Sequence, residues 1–403
     1  MIIKAAWVVP VTSPPIRTGY VEIEADRIIS VGAAAALPRD VARIVDLGDA
    51  ILTPGLVNPH AHLELTCYAG RLEPAGFWDW IMQLVRLRAE PGQLEREQQG
   101  TSDGAWQSLR AGVTCVGDIS RRNCDWSVLK SLPIRKVCFV ELLTLADHPP
   151  RNPDELRAGV RDVVEDDLLT VGVSPHTPYT VPADQIRASI ALADEIGRPW
   201  TLHLAETPEE VAFLRGEKGV LSSAIERLLK QGGVEAPLCS PAKLLATCSR
   251  DCRPGSVAHA NYVADDDFEL LAAGGHVVVY CPRSHHFFRH APHPFIRMRA
   301  AGITVALGTD SLASNASLSM LDELHHIHTQ VEGAPAPDDL LRMTTLDAAR
   351  ALDLEGQIGS LEPGKQADLA AFPCPHEATG PTRQLIEAPV AAHAVWVAGR
   401  RVV

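Results

Sequence analysis

The stretch "TVGVSPHTPYTVPADQIRASIALADEIGRPWTLHLAE", residues 170–206, decides the fold. It holds an apolar run ending at His176, a segment of helical periodicity closed by Gly197, and a second apolar run ending around His203 and Glu206. Strand, helix and strand in that order make a βαβ unit, because parallel strands need a crossover long enough for a helix. The same alternation runs through the middle of the chain. Eight such runs end near "LVNPHAH", "VTCVGDIS", "VCFVELL", "TVGVSPH", "WTLHLAE", "GSVAHAN", "HVVVYCPRS" and "ITVALGTDS", with helical segments such as "PHPFIRMRAAG" between several of them. Eight units over about 300 residues predict an α/β fold, a (β/α)8 barrel with insertions, rather than an open doubly wound sheet. No G-x-G-x-x-G or G-x-x-x-x-G-K-[ST] follows any run, so a dinucleotide or P-loop site has no support.

The two chain ends read differently. "IIKAAWVVPV", "GYVEIEADRIISVG" and "RIVDLGDAILTPG" at the start, and "GSLEPGKQADLAAFPC" and "VAAHAVWVAGRRVV" at the finish, are short β-rich runs bounded by Gly, Pro and Asp. Residues 1–54 and 360–403 are therefore expected to form one discontinuous small β-sandwich domain, and residues 55–359 the barrel.

Bulk properties exclude several classes. A net charge of −13 with dispersed Lys and Arg lacks the basic footprint of a nucleic-acid binder. No apolar run approaches bilayer length, and "MIIKAAWVVPVTSPP" has too short an apolar core for a signal peptide, so a cytoplasmic protein without membrane contact is expected. The nine cysteines contain no C-x-x-C; the nearest pair, Cys248 and Cys252, has no matching second pair, which favours free thiols in a reducing compartment.

Barrel enzymes draw their reacting groups from the C-terminal ends of different strands. Here those ends carry His60 and His62, His176, His203, His259 and Asp310. The H-x-H of "LVNPHAH" sits at the end of an extended run, where residues i and i+2 point the same way and can share one ion. A second H-x-H, His326 and His328, lies in "SMLDELHHIHTQ", whose helical spacing makes its side chains diverge. Glu206, three residues after His203, is placed to move a proton beside a Lewis acid, whereas Glu209 and Glu210 fit a surface helix start.

In order and spacing, "VNPHAHLELT", "SPHTPYTV", "HLAETPEEV", "VAHANYV", "CPRS", "GTDSLASN" and "GSLEPGKQADL" resemble the amidohydrolase superfamily, in its branch of mononuclear deaminases and chlorohydrolases. Within that branch the likeness is greatest to aminodeoxyfutalosine, S-adenosylhomocysteine and methylthioadenosine deaminases. The resemblance spans nearly the whole chain. It implies that His60, His62, His203 and Asp310 bind one divalent metal, zinc or iron, that Glu206 shuttles protons, that His259 holds the attacking water or the developing oxyanion, and that His176 contacts a small-molecule substrate. The implied reaction is hydrolytic release of ammonia from an aminated purine-type nucleoside; loss of another ring substituent or opening of a cyclic amide would use the same ligands. Dimers are common in that family, so a homodimer is expected too.

Binuclear relatives need a bridging lysine on a central strand, and none is placed for it, since Lys136 is read as preceding its strand. His62 and Glu64 form an H-x-E, but no C-x-x-C accompanies it, which excludes the cytidine-type zinc fold. His285 stands where many relatives carry Asn, in a segment that also holds His286, His290 and His293. A substrate-facing or helix-start loop is expected there in preference to a second metal site. "GFWDWI" offers Phe77, Trp78 and Trp80 either as a stacking lid for a purine ring, with Trp78 as the candidate contact, or as helix packing.

Overall fold

The computed structural model describes residues 1–37, 43–122, 125–145, 148–217, 234–374 and 380–403. Strands β1 (Ile2–Val8), β2 (Ile16–Glu24), β3 (Arg27–Ala33), β4 (Ile44–Asp46) and β5 (Ala50–Pro54) open the chain, and β14 (Leu369–Pro373), β15 (Ala394–Val397) and β16 (Arg400–Arg401) close it. They form one hydrogen-bonded sheet in the order β16-β15-β14-β5-β1-β2-β3, with β4 against β1. Side-chain alternation gives this sheet two apolar faces. Ile51, Ala370, Phe372 and Val395 pack with the barrel, while Leu52, Leu369, Ala371 and Trp396 join Ile3, Val21 and Ile28 in a core of the sheet's own. The sheet curls round that core so that β3 meets the segment entering β14: Ile28 donates to the Lys365 carbonyl at 2.8 Å and Ala367 to that of Asp26 at 2.7 Å.

Gly55 alone separates β5 from the first barrel strand, and a Cβ there would come within 2.0 Å of Thr114 Oγ1, so only glycine allows the two bodies to approach so closely.

Eight parallel strands follow at the eight predicted runs: β6 (Leu56–Ala61), β7 (Val113–Ser120), β8 (Arg135–Leu142), β9 (Leu169–Pro175), β10 (Thr201–Leu204), β11 (Ser256–His259), β12 (Val277–Tyr280) and β13 (Val305–Leu307). Nearly every residue in them is buried, as expected of strands covered on both faces, which is why they read as continuous apolar runs. The ladders group as β6–β9 and β10–β13. Single parallel bridges close the two seams, Val173 with Trp200 and Ala61 with Asp310, completing the (β/α)8 barrel. Val57, Ile119, Val137, Phe139 and Val279 fill the interior, and the helix Leu346–Ala351 packs Ala348, Ala349 and Ala351 into the same cluster.

Barrel and sheet are also tied by a buried ion pair, Arg135 Nε to Asp368 Oδ2 at 2.7 Å. Lys136 departs from expectation: it is the second residue of β8, not a residue before it. Its Nζ donates to the Leu132 carbonyl at 3.0 Å, at the end of the strand away from the histidines. No disulfide joins the described cysteines. No described helix is long and apolar enough to cross a membrane.

Candidate metal centre and its cavity

Every polar residue picked from the strand ends comes to one mouth of the barrel. His60 is the last residue but one of β6 with His62 just beyond it, His203 lies in β10, His259 ends β11, His176 follows β9 directly, and Glu206 and Asp310 lie a short turn past β10 and β13. Ala205, His259 and Asp310 leave their strands with φ of 52°, 70° and 58°. Non-glycine residues held there cost about 1–3 kcal/mol each, a strain that concentrates where backbone must turn sharply into a site.

Donor atoms of His60, His62 and His203 lie within 4.8 Å of one another. The His62 and His203 Nε2 atoms are 3.3 Å apart, and Asp310 Oδ1 stands 3.7 Å from His62 Nε2 and 4.0 Å from His60 Nε2. Burial drives all three imidazoles below their ordinary range, His203 to about 4, so they are neutral near pH 7. The His203 Nδ1–H donates to the His176 carbonyl at 3.1 Å, which turns the Nε2 lone pair toward His62. Both ring nitrogens of His60 are buried without a hydrogen-bond partner. Asp310 Oδ2 accepts from Ser284 at 2.7 Å and Ser314 at 3.2 Å, leaving Oδ1 for the histidines; burial raises this carboxyl to about 6. Facing lone pairs, an orphaned imidazole and one oriented carboxylate fit a single divalent cation with an open position.

A second trio, Glu206, His259 and Asp310, shares the same pocket, with His259 Nε2 3.7 Å from Glu206 Oε1. Burial first, then the nearby Asp310 and Glu210, holds the Glu206 carboxyl well above the usual range. Glu210 overturns the surface reading. It is fully buried and accepts the backbone N–H groups of Ala205 at 2.7 Å and Glu206 at 2.9 Å, bracing the turn that presents Glu206. Asn261 completes the brace by donating to the Glu206 carbonyl at 2.9 Å. His176 lines the cavity, its Nδ1 2.7 Å from Thr180 Oγ1.

The cavity measures about 890 Å³ to its open mouth. One wall is a helix, α1 (Phe77–Arg88), whose Phe77, Trp80, Ile81, Leu84, Val85 and Arg88 line it at the spacing of a single helical face. Phe77 and Trp80 pack edge-on against Phe288, and Trp80 Nε1 donates to the Ala313 carbonyl at 3.1 Å. Phe77 and Trp80 thus pack the helix and also line the cavity, whereas Trp78 is not among the lining residues. It points about 100° away round the helix and sits edge-on to Tyr179, one layer behind the wall. The direct aromatic surface is Phe77, Trp80, Tyr179 and Phe288.

Two arginines that the sequence reading passed over also line the cavity. Arg88 pairs with Glu64 at 2.8 Å and Glu97 at 2.9 Å. Arg121 directly follows β7, a strand-end position of the kind that carries function in barrels, and Glu141, whose carboxyl burial lifts to about 7, faces it across the pocket. The His-rich segment does not converge on an ion among the described residues. His285 Nε2 is 2.9 Å from the Ala291 carbonyl, His290 Nδ1 3.1 Å from the Tyr262 hydroxyl, and His293 Nε2 donates to the His259 carbonyl at 2.8 Å. The second H-x-H lies on the helix Met320–Gln330, with His326 against His286 and His328 beside Glu387.

Fold and donor set together define a (β/α)8 barrel with a cation-binding mouth. A model of the amidohydrolase family matches residues 51–402, and the chain belongs to that family. It is 30% identical over 391 residues to a 5-methylthioadenosine/S-adenosylhomocysteine deaminase of Symbiobacterium thermophilum, covering 92% of this chain and 84% of the relative. The fold superposes with TM-score 0.88 on Helicobacter pylori aminofutalosine deaminase in complex with methylthio-coformycin, at 23% identity and 100% of each chain. An adenosine deaminase from Xanthomonas campestris with bound zinc superposes with TM-score 0.84 at 27% identity, over 99% of this chain and 92% of that one.

Proposed function

We propose that the protein is a zinc-dependent hydrolytic deaminase of purine-type nucleosides, working in the cytoplasm on a ligand of the kind named for its relatives. The observation that carries this reading is the meeting of His60, His62, His203 and Asp310 at one end of a cavity that also presents Glu206 and His259. The activities of the Symbiobacterium and Xanthomonas proteins support the substrate class.

His60, His62, His203 and Asp310 hold the ion. Zinc there supplies Lewis acidity that brings the pKa of a coordinated water toward neutrality. Burial raises the Glu206 carboxyl and so favours its protonated form, which delivers a proton to the ring nitrogen as the water oxygen adds to the amino-bearing carbon. Asp310 takes up one proton of the water; Glu206, now ionised, passes the remaining hydroxyl proton to the departing amine, and the proton on Asp310 then returns to Glu206. His259, held by His293 through its own carbonyl, steadies the developing oxyanion. Phe77, Trp80 and Phe288 exclude water from the ring, and His176 contacts it. The products are ammonia and a ring carbonyl.

The test is ammonia release from 5-methylthioadenosine, S-adenosylhomocysteine and adenosine by zinc-loaded protein, with metal content measured on each variant. Glu206→Gln is expected to keep its zinc and lose most turnover; full activity in that variant removes Glu206 from the chemistry. Release of a different leaving group, with no ammonia from any aminated ring, refutes the deaminase reading.

A further inference from the structure

We propose that Glu323, which stands behind the cavity wall, is a positioning residue for Asp310: it clasps together the two loops whose serines aim the Asp310 carboxylate, and through them sets how tightly the site holds its ion. The inference rests on the metal centre and on the proton-accepting role of Asp310 given above.

Glu323 is an acid in an apolar stripe. It lies in the helix Met320–Gln330 on the same face as Met320, Leu324 and Ile327, all of them buried, and is itself fully buried. A carboxyl group at such a position loses its hydration and has to find hydrogen bonds inside the protein. It finds one on each oxygen. Oε2 accepts the Arg283 N–H at 2.9 Å, and Oε1 accepts from Asn315 Nδ2 at 2.7 Å.

The two donors belong to different loops, and each is the neighbour of a residue that holds Asp310. Arg283 precedes Ser284 in the short helix Pro282–Phe287 that follows β12, and Asn315 follows Ser314 in the turn beyond β13. Ser284 and Ser314 both donate to Asp310 Oδ2, and their hydroxyls stand 2.9 Å apart. Asn315 Nδ2 also donates to the Thr309 carbonyl at 2.9 Å, which closes the turn that carries Asp310. The bond from the Asp310 N–H to the His60 carbonyl fixes the backbone but leaves the carboxylate free to rotate. The serines decide which oxygen faces the histidines, and Glu323 decides where the serines stand.

The test is zinc affinity, measured on folded protein by competition with a chromophoric chelator. Ser284→Ala removes a direct bond to Asp310 and should weaken zinc about 10- to 100-fold, the usual effect of losing a group that orients a metal ligand. Glu323→Gln keeps the shape but turns one acceptor into an NH2 group, so one of the two clasps breaks and zinc should weaken about 10-fold. Because Glu323 works through the serines, the double variant should be no more than about 3-fold weaker than Ser284→Ala alone. At saturating zinc, Glu323→Gln should lower kcat for 5-methylthioadenosine about 10-fold at unchanged KM, since the proton acceptor and not the ring pocket is disturbed. His276→Gln, a buried change just before β12 at the opposite end of the barrel, should destabilise the fold and leave zinc affinity as it was.

Zinc affinity within about 2-fold of wild type in Glu323→Gln overturns the assignment. So does a double variant that loses the product of the two single losses, or an equal loss in His276→Gln, which would show general softening of the fold. Should Glu323→Gln fail to fold, Asn315→Ala opens the same clasp from a half-buried residue and carries the same expectations. If wild-type protein releases no ammonia while the zinc contrast persists, the deaminase reading fails and the role of Glu323 stands; wild-type protein that takes up no zinc overturns both.

Discussion

Replacing Asp368 with alanine isolates the tie between the small sheet and the barrel. The Asp368 carboxylate accepts from Arg135 Nε at 2.7 Å and NH2 at 3.2 Å, and from the Ala398 N–H at 2.7 Å, with the two side chains only 6% and 2% exposed. Removing it leaves a buried guanidinium whose remaining acceptors are the Asp167 carbonyl at 3.1 Å and Gln366 Oε1 at 3.4 Å. Breaking a buried pair from one side costs about 3–5 kcal/mol. The orphaned Ala398 N–H adds about 1 kcal/mol, giving a loss of about 5 kcal/mol, a large share of a typical folding free energy. The double replacement Arg135→Met with Asp368→Leu removes both charges and should recover most of the loss. Equilibrium urea unfolding followed by tryptophan fluorescence measures both, and Trp396 in the sheet's own core lies on the affected strand β15. A single variant within about 1 kcal/mol of wild type, or a double variant as unstable as the single one, refutes the claim that the cost is an uncompensated buried charge.

Glu210→Ala frees the turn at Ala205 and Glu206; zinc content should hold while kcat falls about 10- to 100-fold, the penalty for a proton donor displaced by about 1 Å, and an unchanged kcat would show the brace to be irrelevant. His276 accepts the Gly255 N–H at 3.2 Å and pairs with Ser249 at 3.1 Å, and burial lowers it to about 4. Between pH 6.5 and 4 the unfolded chain therefore binds a proton that the folded chain refuses, so stability present above pH 6.5 drains away on acidification, by roughly 3 kcal/mol in all. His276→Gln should flatten that part of the urea-midpoint profile, and parallel profiles would show that His276 is not the group responsible. Chelating the metal should lower the Tm and speed hydrogen exchange of the His203 and Asp310 amides, which bond across the two barrel seams; unchanged exchange there would mean that the ion plays no part in holding the seams.

The strands were legible because a parallel strand buried on both faces leaves a continuous apolar run, and the residue that ends the run is fixed at the barrel mouth whatever the loops do. That is why His60, His203, His259 and Asp310 could be placed together from letters alone. Glu210 could not. In "ETPEEV" it has the look of an acid at a solvated helix start, and its role depends on two backbone N–H groups left over by a left-handed turn at Ala205, which no local pattern announces. Trp78 was a matter of phase: once Phe77 begins a helix, Trp80 shares its face and Trp78 does not. Arg121 carries no signal in "SRRNC" beyond standing next to a strand end. The four histidines of residues 285–293 drew attention by density, yet each ring tested in the fold finds a separate partner, and density is not convergence.

The positions of the two seams bear on why the ion sits where it does. Within each four-stranded sheet neighbouring strands pair over several residues, whereas the seams hold by few bonds: the Val173 N–H to the Pro199 carbonyl and the His203 N–H to the His176 carbonyl at one, the bridge of Ala61 with Asp310 and the Asp310 N–H to the His60 carbonyl at the other. At the second seam Asn58 adds a reciprocal clasp, its Nδ2 donating to Thr309 Oγ1 at 2.7 Å and its Oδ1 accepting the Thr309 N–H at 3.2 Å. His60 and His62 belong to one sheet, and His203 and Asp310 to the other. A cation held by all four therefore joins the halves of the barrel where backbone bonding is thinnest. Ala205 and Asp310, just past the strands that border the two seams, take left-handed turns, so an ion held there would tie down the backbone where the barrel has fewest bonds of its own.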